Sequence, residues 1–229
     1  MAKILELRNV CVAYGKTKVL DGVNACILPG RVYGLLGLNG AGKSTLFNAI
    51  VGLIPFSGSI TFGDRQVDRT VIGASINGPA FYPQLSARGN LKVHALLTGT
   101  NPVRIEEVLD VVDLDSGSKR ARSFSTGMKV RLALAMALLT DPPLLILDEP
   151  QNGLDPQGIK DLRLLIRRLA KEGKTVIISS HQLGEVAHMV DDVGILGQGT
   201  MKYEGPLNDV AEEGESLEDA FFRYSRDKS

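Results

Sequence analysis

Cysteine is scarce in this chain. There are two, Cys11 and Cys26, both inside apolar stretches and neither in a metal-ligand spacing. That excludes a disulfide framework and a zinc cluster, and both read as small core residues in a reduced compartment. Excess charge is missing too: 26 Lys and Arg face 26 Asp and Glu. A neutral total gives no electrostatic case for direct nucleic-acid binding or for an anionic membrane surface. No apolar run reaches the roughly 20 residues that span a bilayer. The opening residues, MAKILELRNV, lack the long apolar stretch of a signal peptide. Any membrane role is therefore expected to come through a partner. Internal repeats, low-complexity tracts and heptad runs are absent as well.

What remains is an ordinary globular composition, 44% hydrophobic over 229 residues, enough for one large domain with a sizeable core. Residues 4–14 and 23–28 read as strands, and 32–36 as a short, wholly apolar strand buried on both faces. A Gly-rich turn and an apolar helix follow, with Leu46, Phe47 and Ile50 inward. SGSITFGDRQV reads as a strand running into a turn, and 71–75 as another strand. Residues 79–140 read as a mostly helical insert. Within it Asn101-Pro102 is expected to cap a helix that carries Ile105, Val108, Leu109 and Val112 on one face. Strands return with LLILDEP and TVIISS, separated by a helix with Ile159, Leu162, Leu165, Ile166 and Leu169 on one side and Gly173 at its stop. VGILGQGTMKYEG reads as a hairpin, 217–224 as a terminal helix, and the final DKS as a frayed end. Strands alternating with helices imply a parallel sheet with helices packed on it.

Two motifs carry chemistry. Gly37-Leu38-Asn39-Gly40-Ala41-Gly42-Lys43-Ser44 fits G-x-x-x-x-G-K-[ST]. Its glycines let successive backbone N–H groups turn inward round a phosphate, and the helix that follows points its positive end there. Lys43 is expected to reach the β- and γ-phosphates of ATP, and the Ser44 hydroxyl to bind Mg²⁺. The second motif is Leu144-Leu145-Ile146-Leu147-Asp148-Glu149, a buried strand ending in two acids. Successive side chains on a strand point apart, so the acids are expected to have separate tasks. Asp148 suits Mg²⁺, and Glu149 suits deprotonating an attacking water. Alone, the second motif also fits two acids at the solvent end of a strand.

At this point the chain resembles the ABC ATPase family, over nearly its whole length. Ser123-Phe124-Ser125-Thr126-Gly127-Met128 resembles the family's LSGGQ signature and departs from it at three of the five places; by itself it also fits a Ser N-cap before an apolar helix. The resemblance implies that Ser125, Thr126, Gly127 and Met128 meet the γ-phosphate of an ATP held by another subunit. It implies nucleotide contacts from Gly37, Asn39, Gly40, Ala41, Gly42, Lys43, Ser44 and Thr45. EPQNGLDP resembles the D-loop, with Asp155 in the aspartate position and Gln151 where Thr or Ser is commoner. His181 matches the switch histidine, beside Glu149 as the catalytic pair, while His94 and His188 match no motif. Tyr14 fits the aromatic that stacks on adenine, or a core tyrosine.

The resemblance further implies a nucleotide-binding core of P-loop NTPase (RecA-like) type, with a mainly parallel sheet, an N-terminal antiparallel β subdomain and an inserted α-helical signature subdomain. The whole chain is expected to form one ATPase domain: core at 1–78 and 141–210, helical subdomain at 79–140, C-terminal helix and tail at 211–229. Asn77 stands where the family carries a Gln linking core and lobe, and reads either as a shortened contact or as a turn residue. The stretch from Ile72 through Leu91 resembles the branch that protects bacteria from lantibiotics and bacitracin-like peptides. The expected function is that of an ATP-hydrolysing transporter subunit, with ATP and Mg²⁺ as cofactors. Its expected partners are a second ATPase subunit, a homodimer by preference, and a polytopic permease that holds it on the cytoplasmic face of the cell membrane. Phe81 and Tyr82 fit either an exposed patch for a permease helix or the core of the lobe. The competing expectation is a soluble ABC-type ATPase of translation or DNA repair.

Overall fold

The computed structural model describes residues 4–226, apart from 64, 67–70, 79 and 182. The DKS end and part of the turn after SGSITFG lie outside the described residues. Four strands form an antiparallel sheet in the order β2-β1-β4-β5: β1 (Leu5–Tyr14), β2 (Thr17–Ile27), β4 (Ser57–Phe62) and β5 (Arg65–Gln66). Six form a second sheet in the order β10-β9-β3-β8-β7-β6. These are β3 (Val32–Leu36), β6 (Ile72–Ser75), β7 (Leu144–Leu147), β8 (Thr175–Ser180), β9 (Asp192–Gly197) and β10 (Thr200–Pro206). All neighbours in the second sheet are parallel except β10, which closes the β9 edge as a hairpin.

The wholly apolar strands divide two cores. Leu144, Ile146, Ile177, Tyr33 and Leu35 face α1 (Lys43–Ile50) and the antiparallel sheet. Leu145, Leu147, Val176, Ile178, Val32 and Leu36 face the other helices. Both faces are buried among apolar side chains, which is why these strands show no polar alternation. The antiparallel sheet does alternate. Leu5, Leu7, Val10 and Val12 fill its inner face, so Cys11 falls on the outer one and is half-buried, as is Cys26. The expectation of two core cysteines is corrected to two half-buried cysteines on the outer face, neither in a disulfide.

Among the described residues of the insert are three α-helices, α2 (Ala87–Thr98), α3 (Arg104–Val111) and α4 (Thr126–Leu138). Each of α2 and α4 starts on a serine whose hydroxyl accepts a backbone N–H three residues on, Ser86 from Gly89 and Ser125 from Met128. The regular part of α3 begins two residues after Pro102. Asn101 still caps the approach, its side chain accepting from Val103 N–H at 3.0 Å and its carbonyl from Arg104 N–H at 3.0 Å. The first turn is thus wound tighter than the α-helix that follows. α5 (Pro156–Lys171) is capped by Asp155, which accepts from Gly158 N–H at 2.7 Å, with proline at its first position. It buries Leu162, Ile166 and Leu169. The short α6 (Leu183–Val186) and the terminal α7 (Leu217–Arg226) complete the chain.

α4 leaves the helical layer at its C-terminal end and lies against the edge strand β6. The approach is so close that a Cβ added to Gly73 would sit 2.0 Å from the Ala137 carbonyl oxygen. Backbone cannot yield as a flexible side chain would. Gly73→Ala is therefore expected to destabilise the fold by about 1–3 kcal/mol, as overpacking does. In a chain of this size that lowers Tm by roughly 2–12 °C. Thermal unfolding of the two proteins checks it, and an unchanged Tm would contradict the contact.

Candidate functional site

β3, β7 and β8 are neighbours and end at one edge of the sheet, where open α/β folds bind ligands. The turn after β3 wraps round the first residue of α1. Gly42 there has φ 106°, a left-handed conformation that a side chain disfavours, and a Cβ would meet Leu20 Cδ2 at 2.7 Å. α1 starts on Gly42 with no side-chain cap, so its first N–H groups keep the capacity to bind an anion. Lys43 is 6% exposed. Its ammonium donates to the carbonyls of Gly37 at 2.8 Å and Leu38 at 3.4 Å, and lies 3.4 Å from Glu149 Oε1. Gly37 N–H in turn donates to the Ser180 carbonyl at 3.3 Å, tying the turn to β8.

The acids following β7 do separate. Asp148 reaches toward α1, where its Oδ2 accepts from the Ser44 hydroxyl at 2.8 Å and lies 3.4 Å from the Asn77 backbone N–H. Its Oδ1 accepts from the Ser179 hydroxyl at 2.6 Å. Glu149 has φ 48°. Its carboxylate accepts from Asn152 Nδ2 at 2.6 Å and lies 3.2 Å from His181 Nδ1. Burial alone would raise the Glu149 pKa. The Asn152 hydrogen bond, the Lys43 ammonium and His181 outweigh it and hold the group below the usual carboxylate range.

Sequence-predicted residues thus converge from distant segments: Lys43, Ser44, Asp148, Glu149 and His181 are joined through direct contacts. A cleft of about 550 Å³ runs beside them, lined by Ser44, Asn77, Thr126, Asp148, Glu149 and Asn152 among others. Asn77 enters through its backbone. Its φ of 58° is a conformation that asparagine tolerates better than most side chains. Other predicted residues stand apart. Tyr14 is 53% exposed at the end of β1. Ser125 and Asp155 are exposed helix caps, and Gly127 and Met128 lie half-buried in the first turn of α4. Asn39 and Gly40 are exposed, Gly37 and Ala41 buried, and Thr45 half-buried in α1. Reading the sequence missed Asn152 and Ser179 of β8. Gln151, singled out only as a departure, is buried and donates to the Ser180 hydroxyl at 2.9 Å. The available signal was two consecutive hydroxyls closing an otherwise apolar strand.

Ser44 and Asp148 present adjacent hard oxygen donors, which fits Mg²⁺, an ion that takes one or two protein oxygens and completes its shell with phosphate and water. Among the described residues no group of three or more His, Cys, Asp or Glu side chains is poised to hold a metal by itself.

Comparison with known proteins agrees with this geometry. The ABC transporter family matches residues 20–152. The lantibiotic transport ATP-binding protein SrtF of Streptococcus pyogenes is 43% identical over 214 residues, covering 90% of this chain and 93% of that protein. The bacitracin transport ATP-binding protein BcrA of Bacillus licheniformis is 44% identical over 219 residues, covering 91% of this chain and 71% of that protein. A solved structure of the ATP-binding subunit of an ABC transporter superposes with a TM-score of 0.87 at 28% identity, covering 97% of this chain and all of that one. The chain belongs to the ABC transporter family, as an ATP-binding subunit that hydrolyses ATP.

Proposed function

We propose that this subunit powers export of peptide antibiotics or related amphipathic compounds through a separate polytopic permease. The names of SrtF and BcrA support the substrate class and disfavour a role in translation or repair. Among the described residues no helix is long and apolar enough to cross a membrane, so the path for substrate is assigned to another chain on whose cytoplasmic face this one sits. The observation that carries the hydrolytic role is the meeting of Lys43, Ser44, Asp148 and Glu149 from segments about a hundred residues apart.

The roles follow from charge and geometry. Lys43 and the uncapped N-terminus of α1 bind the β- and γ-phosphates. Ser44 and Asp148 hold Mg²⁺, which supplies electrostatic stabilisation of the transferring phosphoryl group. Glu149 takes a proton from the attacking water, and His181 orients it. A γ-phosphate that draws Lys43 away from Glu149 leaves burial less opposed, and so makes the carboxylate a stronger base. Tyr14 offers an exposed ring for adenine. Asn77 acts through its backbone N–H on Asp148. Residues 79–140 form a lobe that moves against a core of 1–78 and 141–210, followed by a C-terminal helix and tail at 211–229. Two copies pack head to tail, so that Ser125, Thr126, Gly127, Met128 and Asp155 complete the neighbour's site. The exposure of Ser125 and Asp155 fits that arrangement.

The permease is assigned to a groove of about 1100 Å³ between the lobe and the core. Leu53 lines its core side and His94 and Leu97 its lobe side, with Leu53 69% and Leu97 76% exposed. Tyr82 stands at the adjoining hollow, while Phe81 packs partly into the core below.

Three outcomes are expected. Glu149→Gln binds ATP but turns it over about 10²–10⁴-fold more slowly, and accumulates a dimer in Mg-ATP by size exclusion; a monomer hydrolysing at the parent rate contradicts the role. Lys43→Ala and Ser125→Arg are each nearly inactive, yet regain part of the activity when mixed, because one composite site in the mixed dimer carries neither lesion. No recovery where mixed dimers demonstrably form counts against the head-to-tail arrangement. Leu97→Glu retains ATPase activity but no longer co-purifies with the permease; undiminished co-purification removes the groove from consideration.

A further inference from the structure

The hydroxyl of Ser179 has no part in the roles above, yet it touches both acids. Opposite Leu147 on the neighbouring strand lies Ile178, so the next residues, Asp148 and Ser179, run on side by side. Alternation puts both on the face of Ile146 and Ile177, which looks toward α1 and Ser44. The Ser179 hydroxyl donates to Asp148 Oδ1 at 2.6 Å and accepts from the Glu149 backbone N–H at 2.8 Å. One hydroxyl has one proton and two lone pairs, so both bonds form at once and each fixes the direction of the other.

The consequences differ for the two acids. Asp148 has Oδ2 held by Ser44 and Oδ1 held by Ser179, so the plane of its carboxylate is pinned from both sides. Glu149 stands at φ 48°, a backbone conformation unfavourable for a residue with a side chain. The bond from its N–H to Ser179 anchors that turn, and the turn aims the carboxylate back over Lys43 and His181. Ser179 is 0% exposed, so bulk water has no direct access to replace the hydroxyl.

We propose that Ser179 is a positioning residue for the hydrolysis site: it fixes the metal-side carboxylate of Asp148 and the backbone turn of Glu149 together. The proposal rests on the reading of the cleft as an ATP and Mg²⁺ site. Ser180 supplies the internal comparison. It is also 0% exposed, but it is one residue on, on the opposite face, and its hydroxyl takes the Gln151 side chain at 2.9 Å.

The test measures calorimetric affinity for a non-hydrolysable ATP analogue, in EDTA and in Mg²⁺, for the parent, Ser179→Ala, Ser179→Thr and Ser180→Ala. The ratio of the two affinities is the gain from the metal, and it is read without turnover. Outer-shell partners of a metal ligand typically contribute 10–100-fold, so Ser179→Ala is expected to lose about that factor in metal gain while its affinity in EDTA stays at the parent value. Its kcat in Mg-ATP should fall by a comparable factor of about 10–100. Ser179→Thr retains a hydroxyl and should keep most of the gain, and Ser180→Ala should keep all of it. Equal gains in the parent and Ser179→Ala overturn the role of Ser179. Equal losses in Ser179→Ala and Ser180→Ala overturn it too, because any buried hydroxyl then serves. A Ser179→Thr protein that behaves as the alanine variant also counts against it. A parent protein that gains nothing from Mg²⁺ overturns the reading of the cleft, and this inference with it.

Discussion

A parallel strand sealed on both faces can offer polar chemistry only where it ends. β3, β7 and β8 are such strands, with Leu144–Leu147 and Val176–Ile178 apolar throughout and an apolar core packed on each face. Their backbone bonds are satisfied by one another, so little within the strands competes for the charges that follow. Everything reactive is therefore crowded onto one edge: the turn that follows β3, the two acids that follow β7, and Ser179 and His181 at the close of β8. Because the strands are registered by hydrogen bonds, the spacing between these groups is set by the sheet and not by the loops that carry them.

Charge on that edge is balanced locally. Lys43 is almost wholly buried, and an ammonium there is tolerable only with close acceptors. Two backbone carbonyls and the Glu149 carboxylate provide them. Glu149 is itself part-buried and is kept ionised by Asn152, Lys43 and His181. Neither group is comfortable without the other, which makes the pair sensitive to any anion that competes for the lysine.

How legible was this from residues alone? Contiguous motifs were. The Gly37–Ser44 turn and the two acids after Leu147 announce themselves because their function needs fixed neighbours in the chain. The apolar runs gave the parallel sheet, since burial on both faces leaves no alternation to misread. Partnerships across strands were not legible. Nothing local marks Ser179 as lying beside Asp148, because that depends on β7 and β8 being adjacent and in register. Cys11 and Cys26 misled for a related reason: an apolar neighbourhood in sequence says little about which face of a half-exposed sheet a residue takes. At Asn77 the sequence showed a missing methylene, whereas the structure shows a left-handed backbone whose N–H approaches Asp148.

The contact at Gly73 has a mechanical side. α4 is fastened to the edge strand near Ala137, while its other end carries Ser125 and Gly127. At 1.5 Å per residue, its 13 residues make an arm of about 20 Å. A tilt of about 10° at the fastened end carries the free end through roughly 3 Å over such an arm, about the length of a hydrogen bond. On the proposed motion of the lobe, a glycine at an edge strand would act as its fulcrum. The groove lined by Leu97 and by Gly73 and Ala137 themselves lies at that fastened end, where a small displacement would be magnified at the free end.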